Sequence, residues 1–376
     1  MRGRFLQKIL QLAVLSVLLS ACAAKEVIQT PPIPKLSNQP SYDIERIDPL
    51  AMSPEMKQFV ESQLSKKSSR DDKAWKLAYA SMDPWILDFD YDPHITLTAS
   101  EAFHTRRGNC LTFSNMFIAM ARYAGLDAWY REVEIEPEWD SREDTLLVSL
   151  HVNAATRNRG MEYVIDVSRR PVREGERYRR ISDREAEAQL YNNLGAHALV
   201  KNDLPTAYAY FRLAEETMSG LPYIWSNLGV VLNRNEQVED AILAYETALQ
   251  LDDRHSVSLN NLYSIYEERG DLEKAQKLQQ QVERNRRKNP YYMHYLSEVA
   301  FSELRWDEAI DYAKRAIRLE DTEYSFYYTL AQLQYQTGKA DLAESNLRIA
   351  KNLAPEWVDT GELVLPGEFP EFEPDD

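Results

Sequence analysis

Small and apolar residues recur at a fixed interval through the C-terminal half of the chain. Leucine returns every 34 positions, at Leu194, Leu228, Leu262, Leu296 and Leu330. Alanine keeps the same interval, thirteen residues after each leucine, at Ala207, Ala241, Ala275, Ala309 and Ala343. An interval of 34 residues is the length of a helix–turn–helix repeat in which a small alanine lets two helices approach closely. The pattern therefore predicts an all-α solenoid of five repeats.

The repeats also carry the residue types of a known family. Glycine, aromatic and proline positions accompany the leucines and alanines, at Gly195, Gly229, Phe211, Tyr245 and Pro355. On these residues the segment resembles five tetratricopeptide repeats, which we place at residues 182–355. The third repeat departs from the pattern, with Tyr263 and Gln279 in place of the glycine and the aromatic residue. Ser182 and Glu185 are spaced as a capping box that would begin the first helix.

A solenoid of this kind presents a concave groove that can hold a peptide or another protein. Six side chains are expected at groove-facing positions, namely Asn192, Tyr223, Asn260, His294, Tyr328 and Tyr335. The alternative is that several of them are ordinary solvated helix positions, because polar and aromatic side chains are common on protein surfaces. The groove predicts a protein or peptide partner without defining its sequence.

Residues 51–181 mix two hydrophobic patterns. Apolar side chains at helical spacing in residues 115–124 predict a helix that begins near Cys110 and ends at Gly125. Three runs with strand-like alternation follow, at residues 128–135, 145–152 and 161–167. The mixture predicts an α+β domain ahead of the all-α array.

The strand-like runs place a histidine near an aspartate. His151 alternates with Leu150 and Val152, so it points to the opposite face of the sheet from them. The segment 158–160 is a plausible hairpin turn, and a turn centred near residues 158 and 159 would put His151 opposite Asp166 on one face. An aspartate beside a histidine fixes its tautomer and stabilises its cationic form.

The N-terminus has the organisation of an export signal. Basic residues in the first eight positions precede the apolar stretch 9–19, which is too short for a confident membrane span. Its end, Leu19-Ser20-Ala21-Cys22, resembles a bacterial lipobox. The resemblance implies that residues 1–21 are removed and that Cys22 is lipidated, with Ala23 favouring the periplasmic face of the outer membrane. An ordinary signal peptide with a coincidental cysteine is the alternative. The prolines of residues 22–50 predict an extended tether.

Composition narrows the function classes. The chain of 376 residues has a formal net charge of −16, which suits a soluble acidic body and argues against nucleic acid as a partner. No cysteine or histidine cluster suggests zinc, and no glycine-rich loop suggests a nucleotide. We therefore expect no metal and no cofactor. Residues 356–376 are acidic and contain proline, and predict a disordered tail.

The remaining cysteine, Cys110, is the best clue to chemistry. If Cys22 carries lipid, Cys110 is a free thiol in an exported protein, which is a liability unless the thiol reacts. At a helix N-terminus the partial positive charge of the free N–H groups favours the nucleophilic thiolate. With His151 as base and Asp166 as its orienting carboxylate, the thiolate could attack a carbonyl, form a thioester and transfer the acyl group to an amine or water. Singly, each residue has a structural explanation, because buried cysteines are usually small core residues.

Four short segments carry a second family resemblance: residues 98–103, 107–110, 150–152 and 164–166. They resemble the transglutaminase-like superfamily, the papain-related fold with a Cys–His–Asp triad. We place this domain at residues 51–181. The resemblance implies that Cys110 is the nucleophile, His151 the general base and Asp166 its orienter. Leu111 stands where many members have tryptophan, which concerns the substrate rather than the triad.

Two functions remain open at this point. The first is a lipid-anchored cysteine acyltransferase, peptidase or amidase whose repeats recruit a protein or peptide substrate. The second is a non-enzymatic envelope scaffold, in which the repeats bind a partner and the α+β domain is degenerate. The order of three triad residues on helix, strand and strand favours the enzyme.

Overall fold

The computed structural model describes residues 29–40, 43–65, 68–142, 145–158, 161–167, 177–354 and Leu365. The predicted signal segment 1–21 and Cys22, the predicted lipidation site, lie outside these residues. Over the described part, an α+β domain precedes a helical array, which confirms the predicted fold class. No helix within these ranges is long and apolar enough to cross a membrane.

The α+β domain begins with helices and ends with strands. Its elements are α1 (Pro54–Gln63), α2 (Arg70–Met82), β1 (Asp90–Tyr91), α3 (Ala99–Thr105), β2 (Arg107–Gly108), α4 (Cys110–Tyr123), β3 (Ala128–Arg142), β4 (Thr145–Asn158), β5 (Met161–Ile165) and β6 (Arg177–Ile181). The first four helices each start at a side-chain cap, because Ser53, Ser69, Thr98 and Asn109 accept a hydrogen bond from a backbone N–H of the first turn. Helix α4 is buried along most of its length and forms the centre of the domain.

The strands form two sheets. β1 and β2 pair in parallel, and β3 to β6 form an antiparallel sheet in the order β5-β4-β3-β6. Helix α4 packs on this second sheet, where the hydroxyl of Tyr130 on β3 donates to Asn115 Oδ1 over 2.7 Å. Both residues are buried, so this bond fixes the helix on the sheet.

The pairing of β4 with β5 corrects one prediction. Ala154 pairs with Ile165 and Asn158 with Met161, so the connection falls on residues 159 and 160, which lie outside the described chain. Continued by one residue, this register puts Asp166 opposite Asn153. The expectation that His151 lies directly opposite Asp166 is therefore wrong by two residues. A shift of two keeps all three side chains on one face, because strand side chains alternate.

Ten helices build the array, two to each repeat. They are α5 (Asp183–Val200), α6 (Leu204–Thr217), α7 (Pro222–Arg234), α8 (Val238–Leu251), α9 (Ser256–Glu268), α10 (Leu272–Arg286), α11 (Pro290–Ser302), α12 (Trp306–Leu319), α13 (Tyr324–Gln336) and α14 (Ala340–Leu353). The five register alanines are buried, as the repeat pattern requires. A Cβ on Gly195 would lie 2.7 Å from the ring of Phe211, so the glycine permits the close approach of α5 and α6.

The start of the array differs in detail from the sequence prediction. The Ser182 side chain accepts from the N–H of Glu185, but no complete capping box forms. The Glu185 carboxylate instead binds the guanidinium of Arg179 on β6 over 2.5 Å. Arg179 also binds Glu132 of β3, whose second oxygen accepts from Gln189 of α5. This network of three buried side chains around the exposed Arg179 joins the sheet to the first repeat.

The Pro-rich segment is bound to the array where the structure describes it. Residues 29–40 and 43–50, here called the strap, lie against the first two repeats, whereas the composition predicted an extended tether. Tyr208 donates to the carbonyl oxygen of Pro34 over 2.9 Å, and the Gln237 amide bonds the backbone of Lys35 and Ser37. Such contacts use the strap's backbone, so composition did not reveal them.

The predicted disordered tail has one anchored residue. Leu365 is buried against Ala331, Ala343 and Leu347 of the last repeat. The rest of residues 356–376 lies outside the described chain. The apolar end of the array is thus covered at this point by its own C-terminal segment.

Candidate active site

Cys110 is the first residue of α4 and is held by the two residues before it. Asn109 caps the helix, its Oδ1 accepting from the N–H of Thr112 over 2.9 Å. Gly108 has a φ of +157°, and a Cβ there would lie 2.3 Å from Thr112 Cγ2. Only glycine fits this approach, so the Gly-Asn-Cys sequence brings the chain into the helix with the thiol at its N-terminus.

The loop before α3 fixes this helix start from the other side. Asn109 Nδ2 donates to Thr96 Oγ1 over 2.7 Å, and its backbone N–H donates to the carbonyl oxygen of Ile95. The Thr112 hydroxyl also donates to Ile95 and accepts from the N–H of Leu97. Because these bonds close on both sides of Cys110, the backbone around the thiol is rigid.

His151 lies on β4 beside the start of α4. The Ser114 hydroxyl, one turn after the thiol, donates to the carbonyl oxygen of Val152 over 3.3 Å. The β3–β4 register is interrupted between Val133, which pairs with His151, and Glu138. Such irregularities turn neighbouring side chains and are common next to active sites. The His151 side chain forms a hydrogen bond with Cys110.

Asp166 follows β5 and completes a hydrogen-bonded series. His151 Nε2 donates to Asp166 Oδ2 over 2.6 Å, which leaves Nδ1 as the ring nitrogen available to the thiol. The same Asp166 oxygen accepts from Asn153 Nδ2 over 3.3 Å. The structure thus brings together all three residues named from the sequence and adds a fourth.

Burial and charge together set the protonation of His151. The residue is 8% exposed, and this burial is the largest single influence and lowers its pKa. The hydrogen bonds to Asp166 and Cys110, with the electrostatic interactions between His151 and both residues, outweigh burial and raise the pKa from 6.5 to about 10. The imidazolium is therefore the stable form throughout the neutral range, as expected for a histidine hydrogen-bonded to a carboxylate.

The family comparison agrees with this geometry. Residues 57–159 match the model of the transglutaminase-like superfamily. Residues 57–159 form a transglutaminase-like domain. The match includes Cys110 and His151 and ends seven residues before Asp166. No curated protein matches the chain.

Solved structures similar to the chain are repeat proteins. PilF of Pseudomonas aeruginosa is 20% identical over 46% of this chain and 80% of its own, with a TM-score of 0.33. YrrB, a TPR protein with an unusual peptide-binding site, is 19% identical over 45% of this chain and 88% of its own, with a TM-score of 0.26. MamA of Desulfovibrio magneticus RS-1 is 14% identical over 44% of this chain and 94% of its own, with a TM-score of 0.27.

The predicted groove residues have different surroundings. Asn192 accepts from Asn227 of the next repeat over 2.9 Å. The Tyr223 hydroxyl is buried, and burial followed by the nearby Glu132 raises its pKa, so the sheet of the transglutaminase-like domain lies against this end of the array. His294 bonds Thr329 of the next repeat over 2.8 Å, and burial lowers its pKa.

The other three groove candidates remain partly exposed. They are Asn260, Tyr328 and Tyr335. Tyr328 and Tyr335 pack beside the cluster that holds Leu365. All six predicted side chains are thus partly exposed, and Asn192 and His294 also form hydrogen bonds to a neighbouring repeat.

Sequence reasoning missed the residues that hold the site together. Asn109, Thr112 and Asn153 are each at most 7% exposed, and all three form hydrogen bonds around the thiol or the carboxylate. Asn109 had a signal, since asparagine before a helical run is a preferred cap. Asn153 had none, because its contact depends on the β4–β5 register. No group of three or more potential metal ligands occurs among the described side chains.

Proposed function

We propose that this chain is a lipid-anchored envelope protein whose transglutaminase-like domain transfers acyl groups through a thioester on Cys110. The single observation that supports it is the hydrogen-bonded series from the Cys110 thiol through His151 to Asp166. Cysteine acyl transfer needs a nucleophile, a proton carrier and a group that orients the carrier, in this order.

The proposed reaction has two halves. The Cys110 thiolate attacks an amide carbonyl, and the carbon–nitrogen bond breaks as the leaving amine takes a proton from the His151 imidazolium. The backbone N–H of Cys110 lies at the free helix end, where it can donate to the developing oxyanion. Neutral His151 then takes a proton from water or an amine, which attacks the thioester and releases the Cys110 thiolate, so that the thiolate and imidazolium are restored. Asp166 stays ionised and orients the ring.

The array is proposed to recruit the protein or peptide that carries the acyl group. A concave solenoid surface suits an extended partner. The contacts of Glu132 with Gln189 and of Arg179 with Glu185 put the catalytic sheet directly against the first repeat. A partner held by the later repeats would therefore be led toward the transglutaminase-like domain.

The activity is tested through the thiol. In a Cys22→Ser chain Cys110 is the single cysteine, so its alkylation by iodoacetamide can be followed by mass spectrometry from pH 5 to 9. We expect Cys110 to react at least tenfold faster than glutathione at pH 6, and His151→Ala to remove the difference. His255→Asn is the control for losing a histidine elsewhere. Equal rates for Cys110 and glutathione, with no effect of His151→Ala, would exclude catalysis.

The anchor is tested separately. The proposal places the protein on the periplasmic face of the outer membrane by lipid on Cys22. Metabolic labelling with an alkyne fatty acid should mark the wild-type chain and leave Cys22→Ser unmarked. Labelling that persists in Cys22→Ser would contradict the anchor and leave the chemistry of Cys110 unaffected.

One observation favours the scaffold as a second function. Cys110 is 7% exposed and His151 8%, so little surface of the reacting groups meets solvent. In the scaffold alternative the array binds its partner, and Cys110, His151 and Asp166 only stabilise the domain. Full cellular function of a Cys110→Ala chain would favour the scaffold, whereas loss of function with normal expression would favour the enzyme.

A further inference from the structure

One face of the four-stranded sheet carries the His151 side chain together with a group of arginines and aromatic residues. Cross-strand partners share a face, so the register defines this set. His151 pairs with Val133 and Val133 with Tyr178, while Asn153 pairs with Arg131 and Arg131 with Arg180. The alternation adds Trp129 on β3 and Arg157 on β4 to the same face.

Two of the arginines lie over one tryptophan. The guanidinium of Arg180 is 4.6 Å from the ring centre of Trp129, and that of Arg157 is 5.3 Å from it. Trp129 is buried beneath them, whereas both arginines are exposed. Within the described ranges neither guanidinium contacts a carboxylate. Stacking on the ring orients both guanidinium groups while their N–H donors stay open to a ligand.

Two other charged groups among the described side chains of this face are paired. Arg131 binds Glu162 over 3.4 Å and lies over the ring of Tyr178 at 3.6 Å. Asp166 is engaged by His151. The pair above Trp129 adds two positive charges that form no ion pair with a described carboxylate, although Glu162 is the cross-strand neighbour of Arg157. The formal net charge of the chain is −16. An acidic protein that keeps such a pair on its catalytic sheet face is arranged to receive an anionic group.

Strand geometry gives the distance from each arginine of this pair to His151. Arg180 is two strands and two residues from His151, or about 12 Å, at about 4.8 Å per strand and 3.3 Å per residue. Arg157 is six residues along β4 from His151, or about 20 Å. An extended peptide covers these distances in about three to six residues.

The geometry points to Arg157 and Arg180, stacked on Trp129, as a subsite for acidic side chains of the acyl-donor peptide. Acidic residues about three to six positions from the reacting acyl group would lie over the pair while that group reaches Cys110. This inference rests on the proposed function for the role of the peptide, but the binding itself can be measured without catalysis.

The test uses a fluorescein-labelled hexaglutamate peptide and the full Cys22→Ser chain, with binding followed by fluorescence anisotropy in 50 mM NaCl. We expect the double variant Arg157→Glu/Arg180→Glu to weaken binding at least tenfold, and Arg157→Gln/Arg180→Gln to weaken it less. Raising NaCl to 300 mM should weaken binding to the wild-type sequence, because the attraction is ionic. Circular dichroism establishes that each variant is folded.

The matched control is Arg254→Glu/Arg348→Glu, at two exposed arginines of the array, which changes the net charge by the same amount. An equal loss of affinity in this variant would overturn the subsite, because only overall charge would then matter. Hexaglutamine binding as tightly as hexaglutamate would overturn it too. Tighter binding of an oligothymidylate would overturn the choice of a peptide ligand. Tenfold selective weakening combined with an unreactive Cys110 would leave the subsite standing and refute only the acyl-transfer proposal.

Discussion

Removing the carboxylate of Asp166 should lower the pKa of His151 by several units. The pKa is about 10 in the intact site, where the hydrogen bonds to Asp166 and Cys110 overcome burial. Asp166→Asn keeps the shape of the side chain but removes its charge. With burial then opposed by Cys110 alone, we expect the pKa to return to the ordinary value of 6.5 or below.

The size of the effect follows from these two values. At pH 8 the ratio of imidazolium to neutral ring is about 100 to 1 for a histidine with a pKa of about 10. For a histidine with a pKa of 6.5 the same ratio is about 1 to 30. The raised pKa keeps the proton on His151 up to about pH 10. Removing the Asp166 carboxylate therefore moves deprotonation of His151 to lower pH. Alkylation of Cys110 at pH 8 should slow as its cationic partner disappears.

The assay combines two readouts on the single-cysteine chain. Nitrogen-15 NMR of labelled histidines follows the ring of His151 directly, and iodoacetamide follows the thiol. Asp253→Asn, at an exposed carboxylate in the array, is the control. If His151 titrates at the same pH in Asp166→Asn as in the intact chain, the carboxylate does not hold its proton and the reasoning is wrong.

Three further predictions concern residues around the site and in the array. Gly108→Ala places a Cβ 2.3 Å from the Thr112 side chain, so urea unfolding should show a decrease of about 1–3 kcal/mol in the free energy of unfolding. Gly125→Ala, whose added Cβ has no neighbour within 4 Å, is the control for the effect of positive φ alone. Asn153→Ala removes the second donor to Asp166, so the pH profile of Cys110 alkylation should shift while Asn153→Ser retains more of the wild-type profile; coincident profiles would restrict Asn153 to a structural role. Burial lowers the pKa of His255 to about 4. The stability that the neutral His255 side chain contributes is therefore fully present above pH 6.5 and is lost as the pH falls through 4. The free energy of unfolding of the array, measured with urea, should fall by up to about 3 kcal/mol over that pH range, and by less in His255→Asn. Equal losses in the two chains would contradict the lowered pKa of His255.

Local sequence was enough for the array and for the chemistry-bearing residues. The 34-residue recurrence survives in the chain because each repeat must place a small residue at the same crossing of two helices, and all five register alanines are buried. Cys110 was identifiable because it is the cysteine that remains once Cys22 is assigned to lipid, and because it precedes a run of helical spacing. His151 and Asp166 followed from strand alternation and from the family resemblance.

The tertiary structure decided everything that depends on distant pairing. The two-residue difference in the β4–β5 register, and with it the role of Asn153, is set when the hairpin closes, and no single segment encodes it. The strap binds the first repeats partly through its backbone, which every sequence possesses, so its prolines indicated only extension. The stacking of Arg157 and Arg180 on Trp129 joins three strands that are separated along the chain. Periodicity is a property of neighbouring residues, whereas register, backbone recognition and a shared face arise only when distant segments meet.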